Sequence, residues 1–158
     1  MKVTSQASER KASWGRAALE EVRRARRQHQ NTIADGRGKW IDANQYFYDR
    51  IKRLLRFIVE PGRRVLEVRC LTGRVLDEME PSRGVGVEIG PRMVEIARKE
   101  HPNLEFVQRD PEDLDLGECF DYVIFNHIFD TLDILRAFES IRKHCTEDTV
   151  FIIVNYNQ

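Results

Sequence analysis

Acidic and polar side chains recur in this chain at the ends of short apolar stretches. Glu67 lies in the apolar run 65–68, and Glu88 follows 21 residues later at the end of a second run. Asp110 follows a third run, and Asn126 ends a fourth. This spacing suits strands joined by helices, and open α/β sheets bind ligands at the carboxyl ends of their strands. We therefore expect these side chains to lie at a ligand-binding edge.

His127 directly follows Asn126, at the place where open α/β sheets expose catalytic groups. Imidazole titrates near neutral pH, so His127 is a candidate general base. A histidine that only packs over the end of the sheet explains the sequence equally well, and both interpretations stay open. His101 has no second ligand at metal spacing, and the three cysteines form no CxxC pair. We expect neither a metal site nor a disulfide framework.

The size of the chain favours one compact domain, because 158 residues with 41% hydrophobic content can bury a substantial core. No apolar run approaches about 18 residues, and no leader-like segment begins the chain. We expect a cytoplasmic protein with no membrane partner.

Basic residues are concentrated in the first part of the chain. Residues 1–64 hold 16 Lys or Arg against 7 Asp or Glu, whereas residues 65–158 hold 10 against 19. Such asymmetry suits either an arm that binds nucleic acid or a helix that docks on an acidic body. We favour docking over nucleic acid, because few aromatic residues are interleaved with the arginines.

The hydrophobic periodicity predicts alternating strands and helices. Strands are expected over residues 65–68, 84–89, 104–108, 120–126 and 149–155. Helices are expected from residue 13 to a break at 35–38, and over residues 42–59, 72–79, 91–100 and 132–145. This alternation is typical of an α/β sheet with helices on both faces. We divide the chain into an N-terminal helical arm, residues 1–40, and a Rossmann-like domain, residues 41–158.

Four segments resemble the successive motifs of class I S-adenosylmethionine-dependent methyltransferases: VLEVRCLTG, GVGVEIGPRMVEIARK, LEFVQRDPEDLDL and FDYVIFNHIFDTL. The resemblance covers residues 46–155 and implies a doubly wound parallel sheet in the order 3-2-1-4-5. It also implies S-adenosylmethionine as cofactor, S-adenosylhomocysteine (SAH) as product and a small-molecule methyl acceptor.

The resemblance assigns cofactor contacts to the ends of the strands. It implies that Glu88, with Ile89 beside it, accepts hydrogen bonds from both ribose hydroxyls, and that Asp110 accepts one from the adenine amino group. Pro111 stands where the family often has a backbone N–H donor for the adenine ring, and proline lacks that donor. The Asn126 region would supply backbone acceptors to the amino group of the cofactor.

The first motif of the resembled family is an acid followed by three glycines at alternate positions. Here the corresponding residues are Glu67, Arg69, Leu71 and Gly73, so an arginine and a leucine replace two of the glycines. The resemblance places all four beside the methionine part of the cofactor. Two hypotheses follow: an active methyltransferase domain, or a degenerate methyltransferase-like fold that serves as a binding or interaction module.

The resembled family continues past the fifth strand with two more strands, which this sequence lacks. We expect either a fragment or a trimmed fold, with a downstream domain or a partner covering the edge of the fifth strand. A looser resemblance links the chain to methyltransferase-like segments that precede a glycosyltransferase domain in some bacterial two-domain proteins.

Overall fold

The computed structural model describes the backbone of residues 3–127 and 133–155, and the side chains of residues 17–127 and 133–155. Five parallel strands form one sheet in the order β3-β2-β1-β4-β5. The strands are β1 (Arg64–Val68), β2 (Arg83–Glu88), β3 (Glu105–Gln108), β4 (Phe120–Asn126) and β5 (Cys145–Val154). The helices are α1 (Val3–Ala43), α2 (Gln45–Ile58), α3 (Arg74–Glu78), α4 (Pro91–Glu100) and α5 (Ile134–Arg142), with a 3-10 turn at Pro111–Asp113. The predicted fold class and strand order are confirmed.

The register of the sheet brings the carboxyl ends of its strands to one edge. Val68 of β1 lies level with Val87 of β2 and with Phe125 of β4. The next residues outward, Glu88 and Asn126, are therefore neighbours of the turn that follows β1. β1 is buried on both faces, as expected for a central strand of a parallel sheet.

Two apolar layers hold the helices against the sheet. On one face α2, α3 and α4 bury Leu55, Leu76 and Val94 against β1 and β4. On the other face α5 buries Ala137 and Ile141 against β1, β2 and β4. The two layers fix the strand ends relative to one another, which is what a strand-end site requires.

The predicted helix break at residues 35–38 is wrong, because α1 continues through this segment to Ala43. A glycine inside a helix costs about 1 kcal/mol relative to alanine. Burial against the body of the protein offsets that cost here, because Ala34 and Ile41, on either side of the segment, are both buried. Tertiary packing therefore overrides the local glycine signal.

The basic arm docks on acidic residues, as the charge asymmetry predicted. Arg23 lies within ion-pair distance of Asp110 and Glu112, both of which follow β3. The division into an arm (1–40) and a domain (41–158) stays a prediction, as does a partner for the edge of β5. Among the residues that the structure describes, no helix has the length and apolar character to cross a membrane.

Candidate functional site

The turn between β1 and α3 follows the backbone path of a glycine-rich loop. Arg69, Leu71 and Gly73 all have positive φ angles, of 59°, 53° and 77°. This left-handed conformation costs a non-glycine residue about 1–2 kcal/mol. A Cβ on Gly73 would lie 2.4 Å from the ring of Phe106, so glycine is required there. The turn thus keeps three alternate left-handed positions although only one of them is glycine.

The two residues that replace glycines place their side chains at the edge of the sheet. The Arg69 guanidinium donates from Nη1 to the backbone carbonyl of His127 at 2.6 Å, which ties this turn to the end of β4. Leu71 is half-buried and lines a small cavity below the turn. Both substitutions therefore add bulk where glycines would leave the edge open.

Glu67 lies at the centre of the buried network beneath the turn. Its Oε2 accepts from the backbone N–H of Leu76 at 3.0 Å, and its Oε1 accepts from the Asn126 side-chain amide at 2.6 Å. Burial in this apolar setting raises the pKa of Glu67 to about 8, although both hydrogen bonds act in the opposite direction. Glu67 therefore bridges α3 and β4 as a largely protonated acid at neutral pH.

Glu88 is held rigidly at the end of β2. Its Oε1 accepts from the backbone N–H groups of Ile89 and Gly90 at 2.8 and 3.0 Å, and its Oε2 accepts from that of Leu71 at 3.2 Å. Burial raises the pKa of Glu88, while these donors and the Arg69 guanidinium oppose the increase. The carboxylate presents two oriented oxygens, of which Oε2 has a single protein donor among the hydrogen bonds of the described residues.

Asp110 and Pro111 lie at the end of β3, beneath α1. Asp110 Oδ1 accepts from the backbone N–H of Glu112 at 3.0 Å and starts the 3-10 turn, in which Pro111 is buried. Asp110 Oδ2 lies 3.2 Å from Nε of Arg23. The adenine position implied by the sequence is therefore already in contact with the N-terminal helix.

Glu112 is a buried ionisable residue that the sequence did not single out. Its side chain is 1% exposed, with Oε2 at 2.5 Å from Nη2 of Arg23 and Oε1 accepting from the backbone N–H of Asp133 at 3.0 Å. Its loop carries several acidic residues, and no pattern in the sequence predicts that Glu112 is buried while the others remain in contact with solvent. Its partner Arg23 lies 89 residues away, so no local sequence signal pairs them.

The cavity at the strand ends has a volume of about 30 Å³. Its walls include Glu67, Leu71, Asn126 and His127, so four of the predicted site residues share one space. The cavity also contacts Thr72, whose hydroxyl oxygen is buried and has no hydrogen-bond partner. Ligand pockets usually measure about 300–1,000 Å³, so this space holds little more than water unless its walls move.

Larger cavities lie away from the strand ends. A groove of about 470 Å³ runs between α1 and α4 and carries mixed charges, and an apolar groove of about 560 Å³ lies beside α5 and β5. Neither contains a predicted site residue. Among the side chains of residues 17–127 and 133–155, no group of three metal-ligating residues is found.

A family model described as methyltransferase domain matches residues 65–148, more than half of the chain. Solved structures that are similar to this chain include the following three. DhpI in complex with SAH is 20% identical, with a TM-score of 0.73, over 86% of this chain and 70% of that one. A chain from the complex of the Haloferax volcanii Trm112 methyltransferase activator is 24% identical, with a TM-score of 0.68, over 78% and 58%. The sugar N-methyltransferase KedS8 of a Streptoalloteichus species is 28% identical, with a TM-score of 0.58, over 68% and 47%.

The comparison with curated protein sequences found no match. The chain spans 47% to 70% of the lengths of the three solved relatives. The matched model contains β1, the turn after it and the strand ends that carry Glu88, Asp110 and Asn126. The chain therefore belongs to the methyltransferase domain family.

Proposed function

We propose that this chain is an S-adenosylmethionine-dependent methyltransferase domain that transfers a methyl group to a small molecule. The observation that carries the proposal is the conformation of the turn after β1. Arg69 and Leu71 hold positive φ angles that cost non-glycine residues free energy, so the fold maintains this turn against local preference. Strain retained at a strand-end turn is typical of a ligand-binding site.

The donors and acceptors at the edge fit an adenosyl cofactor. Glu88 offers Oε2, which has one protein donor among the hydrogen bonds of the described residues, to a ribose hydroxyl, and Asp110 offers a carboxylate to the adenine amino group. Thr72 has a buried hydroxyl oxygen with no partner, which suits a polar group of the amino-acid part. The SAH bound in the DhpI structure, of similar fold, supports this choice of cofactor.

When bound, the cofactor would supply an electrophilic methyl group on sulfur. The residues of this chain would hold the ligand and exclude water, and correct positioning accounts for most of the expected acceleration. His127 lines the strand-end cavity and is the candidate to take a proton from the acceptor. The sugar acceptor named for KedS8 supports a small-molecule acceptor, and a cytoplasmic location is part of the same proposal.

Calorimetric titration with SAH tests the proposal directly. We expect the wild-type chain to bind SAH, and Glu88→Gln to weaken binding by about 1–3 kcal/mol, because the neutral amide loses a charged acceptor. Glu147→Gln is the matched control, since Glu147 is exposed on β5. An unchanged affinity in Glu88→Gln would refute the ribose assignment. Absence of binding at millimolar S-adenosylmethionine and SAH would refute the proposed function.

A degenerate binding module is the second candidate, and the crowding of the edge favours it. The Arg69 guanidinium crosses to the His127 carbonyl, and the remaining cavity measures about 30 Å³. Under this alternative the same titration gives no heat of binding with S-adenosylmethionine or with SAH, although the chain stays folded. The two candidates therefore predict opposite results from one measurement.

A further inference from the structure

The inner face of α1 is polar where it crosses the strand ends. Arg23, Gln30 and Arg37 follow one another at seven-residue intervals, so they lie on one side of the helix. All three are half-buried, and each has a side-chain atom with no hydrogen-bond partner: Nε of the two arginines and Oε1 of the glutamine. Nε of Arg23 nonetheless lies within ion-pair distance of the Asp110 carboxylate. This face is therefore not a well-satisfied packing surface.

Arg23 contacts the carboxylate proposed to receive the adenine amino group. Asp110 Oδ1 already accepts from the backbone N–H of Glu112, which leaves Oδ2 for a ligand. Nε of Arg23 lies 3.2 Å from that oxygen. A guanidinium and an amino group are both donors, so Arg23 lies beside the oxygen to which adenine would donate.

Gln30 covers the neighbouring strand end. Its Cβ lies 2.8 Å from the point where a Cβ on Gly90 would be, and Gly90 donates to the Glu88 carboxylate. α1 therefore packs against the backbone whose N–H holds the Glu88 carboxylate, and the separate cavity beside the turn measures about 30 Å³.

We propose that α1 is an autoinhibitory latch that occupies the adenosyl site of its own chain and is held there by the Arg23 ion pairs with Asp110 and Glu112. The inference rests on the proposed function, since it concerns access to the same site. Release of α1 precedes ligand binding. The apparent affinity is therefore the intrinsic affinity multiplied by the fraction of molecules in which α1 is released.

The contacts along α1 allow such a release. Among the described side chains of the helix, the apolar ones that are fully buried are Ala34 and Ile41. The remaining attachments include exposed polar contacts, such as Asn31 and Asp35 with Arg92. Exposed pairs of this kind contribute little to stability. Arg23 is the attachment whose partners are the most buried.

Arg23→Ala tests the latch, with Arg24→Ala as the matched control on the exposed side of the same helix. We expect Arg23→Ala to bind SAH at least tenfold tighter and to exchange the amide hydrogens of residues 17–43 faster than wild type. Arg24→Ala should change neither. An unchanged or weaker SAH affinity in Arg23→Ala, with binding intact in wild type, overturns the latch and leaves the proposed function standing.

A disulfide lock provides a second test, because loss of Arg23 leaves Glu112 buried without its cation. The test protein carries Gln30→Cys and Gly90→Cys, and Cys119→Ser removes an exposed thiol. The two new Cβ atoms would start 2.8 Å apart, so a shift of α1 by about 1 Å gives the Cβ–Cβ distance of a disulfide. The oxidised protein should not bind SAH, and reduction should restore binding. Full binding by the locked protein overturns the proposal, and no binding by any variant, reduced or oxidised, overturns the proposed function with it.

Discussion

Glu67 makes the stability of this protein depend on pH in a direction opposite to that of an ordinary salt-bridged acid. Burial raises its pKa from 4.5 to about 8 in the folded state. Below pH 4.5 the acid is protonated in both the folded and the unfolded state, so it adds no pH dependence. Between pH 4.5 and 8 the unfolded chain releases this proton while the folded chain keeps it, so the free energy of unfolding falls as pH rises.

The size of this effect follows from the displacement of the pKa. Each tenfold change in proton affinity corresponds to about 1.4 kcal/mol, so the displacement corresponds to at most about 5 kcal/mol between pH 4.5 and 8. Glu67→Gln removes the ionisable group and retains an oxygen for the Leu76 N–H, while its amide N–H₂ pairs with Asn126 once the Asn126 amide rotates to present its oxygen. As pH rises across this range, we expect the free energy of unfolding of Glu67→Gln to increase by about 2–5 kcal/mol relative to that of wild type.

Urea unfolding followed by circular dichroism at pH 5, 6, 7 and 8 measures this difference. The difference between variant and wild type is the relevant quantity, because other groups, Glu88 among them, also titrate. Glu147→Gln, at an exposed position of β5, controls for the loss of one formal charge. A difference between Glu67→Gln and wild type that is constant with pH, or that falls as pH rises, would refute the assignment of Glu67 as a buried, protonated acid.

Two further predictions concern the turn after β1. Gly73→Ala should lower the free energy of unfolding by about 2–4 kcal/mol in urea titrations, because its Cβ meets an aromatic ring and its φ is positive. Gly62→Ala shares the positive φ but has open space, so it should cost only about 1–2 kcal/mol, and equal losses would contradict the steric argument. The double variant Arg69→Gly with Leu71→Gly should bind SAH at least tenfold tighter by calorimetry, since it clears the edge and removes two strained positions. Affinity equal to wild type would mean that these side chains do not obstruct the ligand.

The strand-end positions were predictable because local sequence encodes them. The β-branched runs fix where β1, β2 and β4 end, and parallel pairing then brings Glu88 and Asn126 to one edge. The positions that correspond to the motif glycines were predictable from the family resemblance. Their left-handed backbone was not, because an arginine and a leucine at these positions favour other conformations in isolation.

Local residue patterns predicted the strands and the acids at their ends, and the resemblance to the methyltransferase family implied the order of the strands. Long-range packing made α1 continue through residues 35–38 and brought its Arg23 beside Asp110. It also buried Glu67, which raises the pKa of that acid, and it paired Arg23 with Glu112 across 89 residues. The physical reason is range: hydrophobic periodicity and strand ends are set by neighbouring residues, whereas burial, pKa and ion pairing depend on which distant surfaces meet.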